Sequence, residues 1–287
     1  MEARSQTDDW HYPHLGDLNF WFFMVVCHLN PQEFIRVWHD DADKLVGYAI
    51  LGEDPSFDCQ VLPEYEWCGI ETEAISWAET RRSELRGQDA QAWSGNFVSG
   101  VRQDNLKRIS FLEQHGFQQG DYTEVNMICS LTGLIPKAEV PTGCKVCSVA
   151  EAGDISDRAA AHREVWHPYT VGNVSENDYR RFMRLPGYDG ELDVVAIAPD
   201  GAIAAYVNGW IDPENRIGDF GPVGARPGYR RQGMTRAVLL ECLHRMQRLG
   251  MNRVSVSTGV SNAPALRLYE SVGFKIENKY LEYVKPG

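Results

Sequence analysis

The chain has 287 residues and a formal net charge of −12, with 43% hydrophobic and 11% aromatic residues. This length and apolar content predict a globular protein with two domains of ordinary size. The excess of negative charge argues against nucleic acid or an anionic membrane as a partner. The polar, acidic start over residues 1–9 lacks the apolar core of a signal peptide, so we expect a cytoplasmic protein.

The first half of the sequence predicts a mixture of helices and strands. Its apolar run over residues 20–29 is far shorter than the ~20 residues that span a bilayer, so we expect a buried helix and no membrane partner. Apolar periodicity and Gly or Pro punctuation indicate the other elements. In order, they are a helical segment over 11–40, strands over 34–38 and 45–51, a helix over 70–86, a strand over 92–98, a helix over 106–114 and a strand over 125–129.

The second half begins again with a strand, after a linker over residues 133–143 that contains Gly and Pro. Cys144 and Cys147 fall at the start of this half. Because no second Cys pair accompanies them, we interpret them as structural rather than as a metal or redox site. The predicted elements are a strand over 144–149, helices over 155–166 and 179–185, strands over 192–197, 203–207 and 216–225, a helix over 235–249, and strands over 253–258 and 280–284.

The segment 221–236 carries the clearest chemical signal. Proline and glycine residues within it prevent a helix, and an amphipathic helix follows directly. A helix start presents unpaired backbone N–H groups and the positive end of the helix dipole, so it can bind an anion. Gly233 allows close approach of a bulky anion, while Arg230, Arg231 and Arg236 add positive charge. Neither the P-loop nor the GxGxxG pattern is present here, so we expect a different pyrophosphate-binding loop.

A six-residue motif in this segment resembles the Arg/Gln-x-x-Gly-x-Gly/Ala loop of the GNAT superfamily of acetyl-CoA-dependent N-acetyltransferases. Thr235 stands at its last position, where Gly or Ala is usual. A second motif resembles the other hallmark of the family: Asn262, then Tyr269 seven residues later, then Gly273 and Phe274. The distance between the two motifs leaves room for one helix and one strand, as the GNAT fold requires.

The resemblance implies roles for particular residues and makes acetyl-CoA the co-substrate. In the family, backbone N–H groups of a splayed strand before the loop hold the pantetheine arm and the thioester carbonyl. Tyr269 matches the tyrosine that acts as general acid toward the leaving thiolate. Asn262 either contacts the pantetheine arm or caps the helix that follows it. The implied cofactor-binding residues are Val223, Gly224, Ala225, Arg230, Arg231, Gln232, Gly233, Met234, Thr235, Arg236 and Asn262.

More than one residue fits the role of general base. Asp219 shares a strand face with Val223 and matches the place of a family Glu, but its shorter arm suggests a bridging water. Relatives with a Pro-Val-Gly run often carry Glu just before it, where this chain has Gly221. Glu214 and Asp212 are the alternatives, although their local sequence suits a turn.

The sequence does not identify the acceptor, for which we expect the amine of a small molecule. The family's geometry would bring several aromatic and His residues to the acceptor pocket, although residues of these types also suit core positions. They are Trp166, His167, Tyr169, Tyr206 and Trp210. We therefore expect an N-acetyltransferase that works by direct attack. The alternative is a non-catalytic acyl-CoA sensor or interaction module. Tyr269, Asn262 and the basic loop favour the enzyme, whereas Thr235 and Gly221 weaken that interpretation.

The first half repeats both motifs with altered chemistry. Residues 63–71 align with 227–235, and residues 105–117 align with 262–274. Glu66 and Glu71 replace Arg230 and Thr235, and Leu112 replaces Tyr269. A carboxylate repels pyrophosphate, since two like charges ~4 Å apart cost about 1 kcal/mol even in water.

The repeat predicts two tandem GNAT domains with an α/β (α+β) fold, similar to the mycothiol-synthase-like members of the family. Each domain is expected to have a mixed, mostly antiparallel central sheet flanked by helices. Residues 1–132 would form a degenerate N-terminal domain, and residues 144–287 the domain that binds one acetyl-CoA. Trp67 and Trp93 are candidates for the wall of the acceptor cleft.

Overall fold

The structure is a computed structural model, and it describes residues 13–28, 30–52, 56–89 and 93–287. Helices flank mixed, mostly antiparallel sheets, so the predicted α/β class is confirmed. The prediction made from residues 1–9 concerns a segment outside the described residues. Among the described helices, none has the length and apolar character needed to cross a bilayer.

The strands and helices alternate along the chain as in two successive α/β units. The strands are β1 (Ile35–His39), β2 (Leu45–Leu51), β3 (Phe57–Val61), β4 (Phe97–Arg102), β5 (Gln118–Ser130), β6 (Lys145–Ser148), β7 (Asp193–Ile197), β8 (Ile203–Asp212), β9 (Ile217–Ala225), β10 (Arg253–Gly259) and β11 (Lys275–Lys285). The α-helices are α1 (Leu15–His28), α2 (Pro31–Phe34), α3 (Ile70–Gln88), α4 (Leu106–Gln114), α5 (Val149–Ala152), α6 (Ile155–Trp166), α7 (Glu176–Phe182), α8 (Met234–Arg248) and α9 (Ala263–Ser271).

Strands from both halves of the chain form one eight-stranded sheet, in the order β4-β11-β5-β10-β9-β8-β7-β6. The last strand of each half lies between two strands of the other half. Strand β5 lies between β10 and β11, and β11 lies between β4 and β5, all in antiparallel register. The remaining described strands, β1 to β3, form a separate antiparallel sheet.

Strand β5 has the side-chain pattern that this position requires. Val125 and Met127 are fully buried on one face, where they join the core beneath α8 and α9. Glu124 and Asn126 alternate with them and point to the opposite face. Because a register slip of one residue would exchange these two faces, the alternation fixes the pairing of β5 with β10.

Two pairs of parallel strands diverge and open the sheet. Strand β9 pairs with β10 only as far as Phe220, opposite Val256, while its other edge stays paired to β8 up to Ala225. In the first half, Ser56, the residue before β3, forms an isolated parallel bridge with Val98 of β4. Each divergence leaves a wedge between strands, and the two wedges lie on either side of the central pair β5 and β11.

Most predicted elements are present, but several boundaries are wrong. The sequence predicts one helical segment over 11–40. The structure has a helix over Leu15–His28, a short second helix and then strand β1 in this region. The strand over 92–98 begins only at Phe97, because Trp93 packs on Phe34 in the first core; Ala92 lies outside the described residues. The helix over 179–185 begins earlier, since Ser175 and Asp178 form a capping box at its start.

We expect the halves to depend on each other for folding, because each half leaves a slot in its sheet that only the other half fills. Residues 1–138 and 139–287, expressed separately, should be insoluble or unfolded, whereas their co-expression should yield a stable one-to-one complex. Size-exclusion chromatography and circular dichroism of each product measure this. Two halves that fold and remain monomeric on their own would contradict the interleaved sheet.

Candidate active site

A single cleft of about 2000 Å³ runs across the molecule and includes both wedges. Its C-terminal arm lies between β9 and β10, and its N-terminal arm lies between β3 and β4. The floor between the two arms is the face of β5 and β11 that carries Glu124, Asn126, Tyr280 and Glu282. One continuous surface therefore joins the predicted cofactor site to its counterpart in the first half.

The predicted phosphate loop forms the outer end of the C-terminal arm. Gly233 has φ +84° and begins α8 with no side-chain cap, so the first N–H groups of this helix are left for a ligand. Arg231 also adopts a left-handed conformation, with φ +61°, and its backbone N–H has no acceptor among the described residues. Arg230, Arg231 and Arg236 line the arm, and Arg267 joins them from α9. This arrangement of donors and charge fits the phosphates of CoA.

Two further predicted residues of the loop have mainly structural contacts. Gln232 donates from Nε2 to the carbonyl of Gly228 at 3.2 Å and is exposed. Met234 is buried in the core beneath the sheet. Thr235 lines the cleft at the first turn of α8. The loop therefore contacts the cleft mainly through its backbone, Thr235 and its arginines.

The strand before the loop provides an open backbone edge. Val223, Gly224 and Ala225 pair with β8 and line the cleft on the side that β10 has left. A Cβ atom on Gly224 would lie 2.4 Å from a methyl carbon of Val165, so only glycine fits between the strand and α6. The indole Nε1 of Trp210 donates to the Gly221 carbonyl at 2.7 Å, which holds the strand where it begins to diverge.

Tyr269 lies at the inner end of the C-terminal arm. It is 6% exposed, lines the cleft and packs against Phe274, with ring centroids 5.9 Å apart. Burial, and secondarily the nearby Asp219 carboxylate, raise the pKa of this phenol. The hydroxyl therefore stays protonated at neutral pH, as a proton donor requires.

Asp219 lies on β9 beside Ser255 of β10 and does not itself line the cleft. It is 4% exposed and accepts a hydrogen bond of 2.5 Å from the hydroxyl of Ser255, which does line the cleft. Ser255 was not predicted from the sequence, because its partner Asp219 becomes its neighbour only through the pairing of β9 with β10. Asp212 is the buried last residue of β8 and accepts from Asn215 in the turn that follows.

Asn262 caps α9, since its side-chain oxygen accepts from the backbone N–H of Ala265 at 3.3 Å. Its amide nitrogen donates to the Thr258 hydroxyl, also at 3.3 Å, and the residue lines the cleft. The capping alternative is therefore confirmed. Contact of Asn262 with the pantetheine arm stays a prediction.

The aromatic residues expected at the acceptor pocket divide into two groups. Trp166 and Tyr169 line the cleft. Tyr206 and Trp210 do not, because both are in the core, where Tyr206 accepts from the indole of Trp166. His167 is also absent from the cleft wall.

In the first half, Trp67 lines the cleft, whereas Trp93 is buried in the core and is wrong as a wall residue. Trp67 and Gly69 adopt the same left-handed conformations as Arg231 and Gly233, with φ +63° and +115°. The backbone of the two loops is therefore alike. In the first half, however, the Trp67 N–H donates to the Glu71 carboxylate at 2.8 Å.

One arginine near the loop has a purely structural role. Arg226 is 7% exposed and pairs with Asp157 at 2.6 Å and with Glu164 at 3.3 Å. Both carboxylates belong to α6, so these two ion pairs hold that helix against the end of β9. Basic residues close together in the sequence therefore have different functions, since Arg226 packs inward and Arg230 remains exposed.

The floor contributes a carboxylate that the sequence did not reveal. Glu124 from β5 is half-buried in the cleft, beside Ser257 of β10. Burial, and then the charge of Asp17, raise the pKa of Glu124, while a hydrogen bond with Ser257 acts in the opposite direction. This acid belongs to the first half of the chain but lies on a strand paired with β10.

The profile of the acetyltransferase (GNAT) family matches residues 158–274. The chain is 24% identical over 246 residues to a mycothiol acetyltransferase of Pseudarthrobacter chlorophenolicus, which covers 80% of this chain and 71% of that protein. It is 29% identical over 157 residues to a mycothiol acetyltransferase of Brachybacterium faecium, which covers 50% of this chain and 45% of that protein.

Solved structures show the same fold. A GCN5-related N-acetyltransferase from Sphaerobacter thermophilus superposes with a TM-score of 0.66 at 21% identity, over 90% of this chain and 82% of that one. A tandem GNAT protein from the clavulanic acid biosynthesis pathway superposes with a TM-score of 0.64 at 15% identity, over 98% of this chain and 90% of that one. The predicted tandem GNAT architecture is therefore confirmed.

We expect Glu124 to lower the stability of the fold at neutral pH. The folded state raises the pKa of Glu124. Ionisation of Glu124 therefore destabilises the fold at pH values above this raised pKa, and it has no effect below the pKa of the unfolded state, near 4.3. Glu124→Gln should therefore increase the free energy of unfolding at pH 7, and this gain should vanish below about pH 4. Urea titrations at several pH values measure it. Glu277→Gln, on the exposed part of β11, is the control; equal effects of both variants would contradict the prediction.

Proposed function

Because the chain carries a GNAT acetyltransferase domain over residues 158–274 and is an N-acetyltransferase that uses acetyl-CoA, we propose that it acetylates the amine of a small molecule bound in the cleft. The observation that supports this proposal is the position of Tyr269 at the inner end of the arm that carries the phosphate loop. An initial-rate assay for free CoA thiol across a panel of amines tests it.

Tyr269 would act as the general acid. Its protonated phenol donates to the sulfur of the leaving thiolate while the C–N bond forms and the C–S bond breaks. Within the described part of the chain, its hydroxyl has no side-chain hydrogen-bond partner, so the proton is available for this transfer. The open edge at Val223 to Ala225 would supply N–H groups to the pantetheine arm and to the developing oxyanion.

Asp219 would act as the base through Ser255. The carboxylate is too deeply buried to touch an acceptor, but its hydrogen-bond partner Ser255 lines the cleft. The bound ammonium group can lose a proton to Asp219 through that hydroxyl or through a water beside it, and the neutral amine that results attacks the thioester carbonyl. Glu214 is an exposed residue of the turn before β9 and does not line the cleft, which favours Asp219.

The demand on the base depends on the acceptor. An α-amine with a pKa near 8 is about 10% neutral at pH 7, which costs roughly 1.4 kcal/mol. A lysine-like amine with a pKa near 10.4 costs about 4.6 kcal/mol by the same conversion. The relatives named mycothiol acetyltransferase make the des-acetyl form of mycothiol a necessary member of the amine panel.

The second candidate function is a non-catalytic acyl-CoA sensor. Thr235 at the last loop position and Gly221 before the Pro-Val-Gly run favour it, because both depart from the family's pattern. Acetyl-CoA binding without thiol release from any amine would support the sensor. Turnover with any amine of the panel would exclude it.

Tyr269→Phe should lower turnover by about 10²-fold, since it removes only the proton donor. The affinity for acetyl-CoA should change little, because the ring still packs on Phe274. Initial rates at a saturating amine concentration measure the effect. Tyr283→Phe, which loses a hydroxyl bonded to Glu113 outside the cleft, is the matched control. An unchanged rate for Tyr269→Phe would remove this residue from the mechanism.

Replacing Arg230 and Arg231 by Ala should weaken CoA binding at least about tenfold and should leave pantetheine binding nearly unchanged. The lost contacts are charge-assisted hydrogen bonds to phosphate, so the effect should shrink at high salt. Isothermal titration with both ligands measures the difference. Arg248→Ala, at the exposed far end of α8, is the control. Equal losses for CoA and pantetheine would mean that the two arginines only maintain the fold.

Asp219→Asn should slow turnover most at low pH, because an amine above its own pKa is already neutral and needs no base. Ser255→Ala should give the same pH dependence if the proton passes through that hydroxyl. Rate profiles from pH 6 to pH 10 measure both variants against Glu214→Gln. A uniform loss at every pH would assign a structural role to Asp219, and a low-pH loss in Glu214→Gln alone would make Glu214 the base.

A further inference from the structure

The two arms of the cleft carry opposite charge. The lining residues that β9, the phosphate loop, α8, β10 and α9 contribute to the C-terminal arm include the arginines 230, 231, 236 and 267, and no carboxylate. The floor and the N-terminal arm contain more acids than bases. The acids are Asp58, Glu66, Glu71, Glu124, Glu282 and Asp17, and the cationic residues are Arg102, Lys107 and Arg108. Asp17 belongs to α1, and its charge acts on the pKa of Glu124 on the floor strand β5.

The cationic side chains of the N-terminal arm are engaged locally. Arg108 pairs with Asp58 at 2.9 Å and also donates to the Cys59 carbonyl. Arg102 pairs with Asp104 at 2.6 Å. The ammonium group of Lys107 lies 5.0 Å from the centroid of the Trp67 ring. Ion pairs therefore hold Arg102 and Arg108 against the wall, and the six acids of this arm and the floor outnumber the three cationic residues.

Glu71 takes the place that an anionic ligand occupies in a loop of this design. The Trp67 N–H, which corresponds to the open Arg231 N–H of the second half, is already bonded to the Glu71 Oε1 atom. Glu71 is 7% exposed and lines the cleft. Its Oε2 atom is buried and has no hydrogen-bond partner among the described residues. A buried carboxylate oxygen of this kind is costly unless a donor or a cation reaches it.

On the basis of the proposed amine acetylation, we infer that the N-terminal arm binds a second cationic group of the acceptor. The acceptor is then a small molecule with at least two amines, such as a polyamine. One amine reacts beside Tyr269, and another is held as an ammonium group near Glu71 and Glu66. Glu124 lies on the floor between these positions, where its carboxylate attracts the positive charges of the acceptor.

The geometry explains why one chain keeps two wedges of the same design. The basic arm binds the phosphates of CoA, and the acidic arm repels them. An acceptor with two positive charges is attracted only to the acidic arm and the floor. The same charge separation therefore orients both ligands, with the phosphates of CoA at the outer end of the basic arm and the second cation of the acceptor in the acidic arm.

The test uses the full chain, saturating acetyl-CoA and a series of straight-chain diamines of increasing length. Each diamine is paired with the monoamine of the same length. We expect kcat/KM for the best diamine to exceed that of its monoamine by about tenfold, which corresponds to ~1.4 kcal/mol. The excess should fall as ionic strength rises. Equal values for every pair would overturn the inference, as would a preference for des-acetyl mycothiol over all diamines.

Variants assign the effect to the N-terminal arm. Glu71→Gln preserves an acceptor for the Trp67 N–H but removes the charge, so the ratio of diamine to monoamine kcat/KM should fall toward one. Glu66→Gln changes an exposed residue, keeps its size and should lower the same ratio, with circular dichroism as the check of folding. Glu84→Gln, on the exposed part of α3 outside the cleft, should leave the ratio unchanged. A ratio that survives in both Glu71→Gln and Glu66→Gln would overturn the assignment.

Direct binding separates this inference from the proposed function. Calorimetry of the CoA-saturated chain with the same amine pairs needs no turnover. If no amine is acetylated but the diamine binds more tightly and Glu71→Gln abolishes the difference, the proposed acetylation fails and the cation site remains. If turnover occurs and the members of each pair bind and react equally, the acetylation remains and the cation site fails.

Discussion

The fold depends on the exchange of strands at the centre of the eight-stranded sheet. The last strand of each half does not lie at an edge of the sheet. It lies between two strands of the other half. Backbone hydrogen bonds cannot be left unmade in such a position, so neither half is complete without its neighbour. The same pairing brings Glu124 of the first half beside Ser257 of the second and makes the floor of the cleft a joint product of both.

The two wedges follow from this arrangement. Where β9 leaves β10 after Phe220, the sheet stays continuous on both sides, because β8 supports one strand and β5 supports the other. A gap with open backbone groups can therefore persist inside a rigid sheet. The first half has a similar gap beside β4, which β11 supports on its far side. Rigid support of both edges lets a cleft this large lie in the middle of a folded unit rather than between two loosely joined domains.

The sequence predicts the local parts of this site well and the non-local parts poorly. The loop around Gly233, the helix start after it and the spacing from Asn262 to Tyr269 depend on short stretches of chain, and the structure has each of them in the cleft. Ser255 and Glu124 are inconspicuous in sequence, because their importance arises from strand pairings between distant segments. Tyr206 and Trp210 were candidates for the acceptor pocket but lie in the core. The sequence cannot separate these two locations, because an aromatic residue on a strand beside the site suits either of them. The domain limits at 132 and 144 stay a prediction.

The interleaved strands also constrain how such a protein can change over generations. A duplicated gene usually leaves one copy free to decay and be lost once the other performs the reaction. Here the first copy contributes a strand to the interior of the second copy's sheet, so its deletion would remove structure that the second copy needs. Selection can therefore alter the side chains of the first half, as at Glu66 and Glu71, while it must preserve the backbone that carries them. A duplicate copy in this position is retained, and its surface can acquire a new function without any additional domain to support it.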